Sequence, residues 1–346
     1  MMPSAEHLAV IAAAGSRKTE FVVNEALAHD DKRVLITTYT LNNLACIEDR
    51  IYGKAGRVPR HITITSWYGF LLNQWCRPYQ RTMLGAPGVI RGLDFASARS
   101  RFVRQSQARQ YYCNASGDIY ADWTADFAVK VNDATSGDVV HRLEGMYDEI
   151  YVDEVQDLVG YDLDVLDALL GSRTHIVMVG DPRQHTYATN QNMRNRKYRG
   201  AGLWDWFAER KNSCSLQTNT VSYRSNQAIC DFADALFPHL PRTTSANAQI
   251  ATPAGILMLK PAELADYVAA HSPAVLRHSV TSNTLGFGGM NFGASKGSTF
   301  DHVVIFPTQP IKHYLKTRDP GVLADEARSK LYVAITRARH SVAFIV

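Results

Sequence analysis

Short apolar runs alternate with amphipathic stretches from the start of the chain. HLAVIAAA (7–14), RVLITT (33–38) and HITIT (61–65) are apolar or β-branched runs of strand length. Between them a helical pattern starts near Lys18, and another runs through LNNLACIEDRI (41–51). Runs this short, bounded by turn residues, read as buried strands. Strands alternating with helices imply βαβ units and a parallel sheet. The rhythm breaks from about 77 to 145, a stretch rich in Arg, Ala, Gln and Tyr with a mostly helical pattern, which predicts an insertion. It resumes with a strand at EIYVDE (149–154), a helix at DLDVLDALL (162–170) and a strand at HIVMVGD (175–181). A second set follows. Its predicted strands are CSLQTNT (214–220), GILMLK (255–260), AVLRH (274–278), HVVIFPT (302–308) and SVAFIV (341–346). Its predicted helices are NQAICDFADALF (226–237), AELADYVAAH (262–271) and ADEARSKLYVAITRA (324–338). The expectation is an α/β chain of two parallel-sheet domains, residues 1–205 and 206–346. The first carries a helical, Arg-rich insertion at about 77–145, and the second carries little or none.

Composition fits that picture. The chain has 346 residues, enough for two ordinary domains, with 46% apolar and 20% charged residues. No apolar run reaches the roughly 18 residues needed to cross a bilayer. The start MMPSAEHLAVIAAAGS lacks the basic head and long apolar core of a secretory leader. The five cysteines are scattered, with no CxxC pair, so neither a zinc site nor a disulfide framework is indicated. A cytoplasmic protein with no membrane partner is expected. Net charge is only +4, but its distribution is uneven. Seven arginines and one acid, Asp94, lie between Arg77 and Arg109; a second run, NQNMRNRKYRG (190–200), is basic without an acid. Clustered positive charge is what contact with phosphate requires, although a solvated basic face reads the same way.

Two motifs carry chemistry. The turn after the first strand reads Ala-Ala-Ala-Gly15-Ser16-Arg17-Lys18-Thr19. A strand–loop–helix turn of this kind offers backbone N–H groups and a helix N-terminus to phosphate. Lys18 would reach the β- and γ-phosphates of ATP, and the Thr19 hydroxyl would hold Mg²⁺. Arg17 stands where glycine is usual, and fits if its φ is helical and its side chain points outward. EIYVDEVQD (149–157) sets Asp153 and Glu154 at the end of an apolar strand, where open α/β sheets bind ligands. Asp153 is suited to hold Mg²⁺, and Glu154 to activate an attacking water.

At DEVQD (153–157) the chain resembles the superfamily 1 helicases of the UvrD/Rep/PcrA group, and the resemblance extends over almost the whole chain. Further ordered segments match: ITTYTLNNLACIEDRI (36–51), ITSWYGFL (64–71), VGDPRQHTY (179–187), SYRSNQAI (222–229), GASKGSTFDHVVIF (293–306) and LYVAITRARHSV (331–342). The resemblance implies two RecA-like domains and a set of roles. Gln184 would sense the γ-phosphate. Arg224 and Arg337 would be arginine fingers delivered across a cleft. Tyr223 would stack on adenine, above a nucleotide subsite of Gly15, Ser16, Arg17, Lys18 and Thr19. Thr38, Tyr39, Thr65, Trp67, Tyr187, Ser295 and Lys296 would contact single-stranded nucleic acid, DNA rather than RNA. For Trp67 and Tyr187 the alternative is core packing.

The chain also departs from that family. Ala13 and Arg17 replace glycines, and Thr299 stands in place of a nucleotide-binding glutamate. No glutamine precedes Ala12 to read adenine, so other nucleoside triphosphates are expected to be accepted. The fourth and fifth family motifs lie only about 65 residues apart, leaving no room for a second insertion. The implied activity is ATP-driven 3′→5′ translocation on single-stranded DNA, with strong unwinding dependent on a partner. The alternative is a nucleotide-gated, nucleic-acid-binding subunit with weak ATPase, acting with a nuclease or other effector.

Overall fold

A computed structural model of the chain describes residues 6–86, 89–249 and 251–346. Residues 1–5, the head of the stretch read for a leader, lie outside the described residues. The structure is α/β and built on two sheets. The first contains β1 (His7–Ala12), β2 (Val34–Thr38), β3 (Ile62–Ser66), β4 (Glu149–Asp153), β5 (His175–Gly180) and β6 (Cys214–Asn219), in the order β3-β2-β4-β5-β1-β6. β2 pairs in parallel with β3 and β4, and β4 with β5. The central strands are buried on both faces, with every residue of β2 and β4 inside. That burial explains why they read as continuous apolar runs. Thr38 is level with Ser66 on one side and Asp153 on the other, so three chemically loaded positions share the carboxyl ends of neighbouring strands.

Helix α1 (Lys18–Ala28) follows β1 and buries Val22, Val23 and Ala26. Helix α2 (Leu41–Ala55) follows β2. Its start is fixed by the Thr40 side chain, which accepts from the Asn43 N–H, and its end by Gly56 at φ 70°. Ile47 and Ile51, one turn apart, are its buried stripe.

The insertion is less helical than expected. A π-helical stretch, Leu71–Cys76, leads into Arg77–Leu84, followed later by Ala108–Tyr112, Thr124–Ala134 and Asp138–Glu144. A two-residue parallel pair, Leu93–Asp94 with Ile119–Tyr120, lies among them. Residues 95–107 form turns and bends. Side chains hold this segment instead of a helical ladder. Asp94 Oδ1 accepts the N–H groups of Ala96 and Ser97, each at 2.9 Å. The Arg99 guanidinium lies over the rings of Tyr111 and Trp123, at 3.6 and 3.8 Å from their centroids.

The second sheet contains β7 (Gly255–Leu259), β8 (Ala274–Arg277), β9 (Met290–Asn291), β10 (Phe300–Ile305) and β11 (Ala338–Ile345), in the order β7-β11-β10-β8-β9 and parallel throughout. Leu264, Tyr267, Val304, Phe306, Ala343 and Ile345 form a buried cluster beside it.

The sequence reading placed 214–220 in the second domain, from residue 206 onward. The structure corrects this, because β6 sits beside β1 in the first sheet. Only Cys214 of that strand is fully buried, so its pattern is that of an edge strand and does not say which sheet it closes. Contacts divide the chain into two compact units that interleave in sequence. One holds residues up to Val10, Thr19–Gly180 and Ala188–Gln217; the other holds Ile11–Lys18, Asp181–Tyr187 and Thr218–Val346. Among the described residues, no helix is long and apolar enough to cross a membrane.

Candidate functional site

In the first unit, the end of β4 carries the acidic pair. Asp153 is buried, and its Oδ2 accepts a hydrogen bond from Thr19 Oγ1 at 3.0 Å. A hydroxyl and a carboxylate in direct contact are an oxygen donor set suited to Mg²⁺. The next residue, Glu154, has φ 58° and ψ 42°, a left-handed conformation uncommon for a side-chain-bearing residue. Its N–H donates to Asp153 Oδ1 at 3.0 Å, and its carboxylate accepts from Gln156 Nε2. Strained backbone held by its surroundings is frequent where chemistry is done.

In the second unit, the loop Ile11–Lys18 is held by segments far away in sequence. The Ala13 N–H donates to the Asn219 carbonyl at 2.8 Å, and the Tyr223 N–H to the Gly15 carbonyl at 3.0 Å. Gly15 has φ 78°, and a Cβ there would meet Ser222 Oγ at 2.7 Å and Arg224 Cβ at 2.8 Å. Lys18 Nζ lies 3.4 Å from the carbonyls of Ala12 and Ala13, so the ammonium is folded over its own loop. The Ser16 hydroxyl is buried with no hydrogen-bond partner. A cationic, glycine-turned loop at the start of α1, with a buried orphan hydroxyl, fits a phosphate group.

The same unit contains a buried relay. Asp181 accepts from Arg183 Nε at 2.8 Å, from Gln184 Nε2 at 2.9 Å and from the Tyr332 hydroxyl at 3.2 Å. Burial pushes the Asp181 carboxyl up, but the charges of Arg183 and Lys18 outweigh it and hold it below the usual carboxylate range. Arg183 also reaches Asp234 at 3.1 Å. Gln184 Oε1 in turn accepts from Arg337 Nη2 at 3.3 Å. Arg337 is 2% exposed and donates through Nε to the Val333 carbonyl at 3.0 Å. Arg224 Nη1 donates to the Thr336 carbonyl at 3.0 Å. Gln184, Arg224 and Arg337 thus belong to one bonded region. Asp181, Arg183, Asp234 and Tyr332, which complete it, escaped the sequence reading. A signal for Asp181 was available, since it is the first carboxylate after β5, as Asp153 is at the end of β4.

The structure departs from the sequence reading at Arg17, Trp67, Ser295 and Thr38, and places a cation beside Tyr223. Arg17 does not take a helical φ; it sits at φ 63° with its guanidinium 4.2 Å from the centroid of the Tyr223 ring. Tyr223, read as a stacking surface for adenine, is 48% exposed and has that guanidinium over its ring. Trp67 is fully buried and donates from Nε1 to Asp162 at 2.7 Å, so it is core and not a stacking platform. Ser295 and Thr38 are also buried; the Ser295 hydroxyl donates to the Phe292 carbonyl at 2.7 Å. Tyr39 and Thr65 remain partly exposed at the strand ends. Tyr187 is 40% exposed, with its hydroxyl 3.2 Å from where a Cβ on Gly293 would lie, and Lys296 is partly exposed three residues further on. The basic run 190–200 is less available than its sequence implied. Arg194 pairs with Asp164 at 2.6 Å and Lys197 with Glu209 at 3.2 Å, acids supplied from outside the run.

The profile of the UvrD/REP helicase N-terminal domain matches residues 94–195. No curated protein matches the chain. Among solved structures, the fold is similar to arterivirus nonstructural protein 10, a helicase, at 15% identity and TM-score 0.50, covering 99% of this chain and 59% of that one. A structure of the same arterivirus helicase with DNA matches at 15% identity and TM-score 0.51, covering 99% of this chain and 60% of that one. The chain therefore spans about three fifths of the length of these relatives.

Proposed function

We propose that the chain is an ATP-dependent translocase on single-stranded nucleic acid, because its motifs follow the superfamily 1 order, the UvrD/REP N-terminal profile matches residues 94–195, and its fold is similar to that of an arterivirus helicase. The observation that carries this reading is the Thr19–Asp153 hydrogen bond at 3.0 Å, with Lys18 and Glu154 as the immediate neighbours of its two partners. Hydroxyl, ammonium and paired carboxylates are the parts phosphoryl transfer needs. In this reading, phosphates lie on the loop from Gly15 to Thr19. Lys18 leaves its loop carbonyls for phosphate oxygens. Thr19 and Asp153 hold Mg²⁺, which when bound neutralises charge on those oxygens. Glu154 takes a proton from the attacking water as its oxygen bonds to the γ-phosphorus, and the bond to ADP breaks. Gln184, Arg224 and Arg337 sense and offset the developing charge.

For nucleic acid, the reading uses Tyr39, Thr65, Tyr187 and Lys296. Sequence-tolerant stacking and phosphate contact suit a moving grip. The arterivirus helicase solved with DNA supports a nucleic-acid ligand, and 3′→5′ movement on DNA is taken from the family resemblance. The second reading, a nucleotide-gated binding subunit of weak turnover, draws on one observation: Arg337 is buried and bonded to Gln184 and Val333.

Phosphate release measured with and without single-stranded DNA separates the two. The motor requires strong stimulation, abolished in both Lys18→Ala and Glu154→Gln, with nucleotide binding kept in Glu154→Gln. Tight binding with negligible turnover in the unmodified chain favours the subunit. No nucleotide binding at all sinks both.

A further inference from the structure

The loop and the segment from Asn219, the last residue of β6, to Tyr223 are stitched together within one unit. Besides the bonds of Ala13 and Tyr223 already described, Asn219 Nδ2 donates to the Ser16 carbonyl at 3.5 Å. Tyr223 is therefore fixed beside the loop by backbone, whatever its ring does. Arg17, in the left-handed region at φ 63°, brings its guanidinium to 4.2 Å from that ring's centroid. Arg17 thus brings a loop side chain over one face of the ring.

We propose that Arg17 masks the base subsite, so that the chain holds nucleoside triphosphates by their phosphates and discriminates little between bases. This rests on the nucleotide reading of the loop given above. A base that would stack on the face Arg17 covers must displace the guanidinium and give up the attraction between cation and ring. A purine, with its larger face, gains most from an uncovered ring. The arrangement also gives position 17 a role that a glycine there could not fill, since glycine has no side chain to place over Tyr223. Glycine adopts the same φ without cost, so Arg17→Gly removes the mask and leaves the loop free to keep its shape.

The test is a competition titration against a fluorescent nucleoside triphosphate, with ATP, CTP and inorganic tripolyphosphate as competitors. It uses the full chain and its Arg17→Gly, Tyr223→Ala and doubly substituted variants. The unmodified chain is expected to bind ATP and CTP alike. Arg17→Gly is expected to raise ATP affinity about two- to fivefold, the worth of one exposed cation–π contact, with a smaller gain for CTP. The double variant should lose that gain, and Tyr223→Ala alone should change little. An unchanged ATP-to-CTP ratio in Arg17→Gly overturns the mask while leaving the nucleotide site standing. So does a loss of ATP affinity in Tyr223→Ala as large as the loss on adding it to Arg17→Gly. Failure of every chain to bind, or binding indifferent to Lys18→Ala and to tripolyphosphate, overturns the underlying site as well.

Discussion

At Gly15 two physical demands meet in one residue. The backbone is left-handed at φ 78°, and Ser222 and Arg224 crowd the space a side chain would take. Gly56, at the end of α2, shares the first demand at φ 70° but has nothing within 4 Å of a built Cβ. Comparing alanine at the two sites separates conformation from contact. Gly56→Ala is expected to cost about 1 kcal/mol, the left-handed penalty alone. Gly15→Ala should cost more, about 2–4 kcal/mol in total, because the loop must shift as well. Urea unfolding of both variants measures this, and equal costs would mean that the loop yields freely at Gly15. The same residue scale limited what could be read in advance. That Gly15, Lys18 and Thr19 form a turn was legible from local sequence. That Arg17 turns onto Tyr223 was not, because its partner lies more than 200 positions away and is brought there by pairing of backbone segments.

Elements followed the pattern closely where burial set the period. The strands Val34–Thr38 and Glu149–Asp153 and the helix Asp162–Leu170 coincide with apolar runs or stripes visible in sequence. Sheet membership of Cys214–Asn219 was illegible because an edge strand has few buried positions to declare its neighbour. Trp67 was misread for a related reason. Its fate is decided by Asp162 at the start of a distant helix. There one carboxylate accepts from Trp67 Nε1 at 2.7 Å, Asn190 Nδ2 at 3.1 Å, the Val159 N–H at 3.3 Å and the Thr189 hydroxyl. Burial pushes the Asp162 carboxyl from its ordinary 3.8 to about 6, against the lowering effect of those donors. A carboxyl raised in the fold contributes stability that is full below about pH 4 and lost as pH rises through about 6. Asp162→Ala leaves several buried donors unpaired and should cost about 2–4 kcal/mol at neutral pH. The gap between the two proteins should widen on acidification from pH 6 to 4, since only the unmodified chain gains from protonation there. Denaturant unfolding at both pH values checks this, and a gap that narrows refutes the assignment.

For the whole molecule, the decisive quantity is which positive charges remain available. Net charge is +4, but several cations face acids of the same fold: Arg33 with Asp148, Arg173 with Glu144, Arg194 with Asp164, Lys197 with Glu209. Exposed pairs of this kind add only about 0–1 kcal/mol each to stability. In the proposed function their larger effect would be on binding to a single strand. Each cation that neutralises a phosphate on a single strand steepens the dependence of affinity on salt by about 0.7 in log–log slope. Arg194→Ala and Lys197→Ala are therefore expected to leave both the slope and the affinity for a single-stranded oligonucleotide within about twofold of the unmodified chain. A slope reduced by about 0.7 in either variant would show that the residue does touch phosphate.

Asp164 and Glu209 thereby act as resident substitutes for a phosphodiester. Bulk polyanions such as folded transfer RNA or heparin find those two cations already engaged. In the proposed function a single strand would then be held elsewhere, at the exposed rings and the remaining cations, and not by this pair.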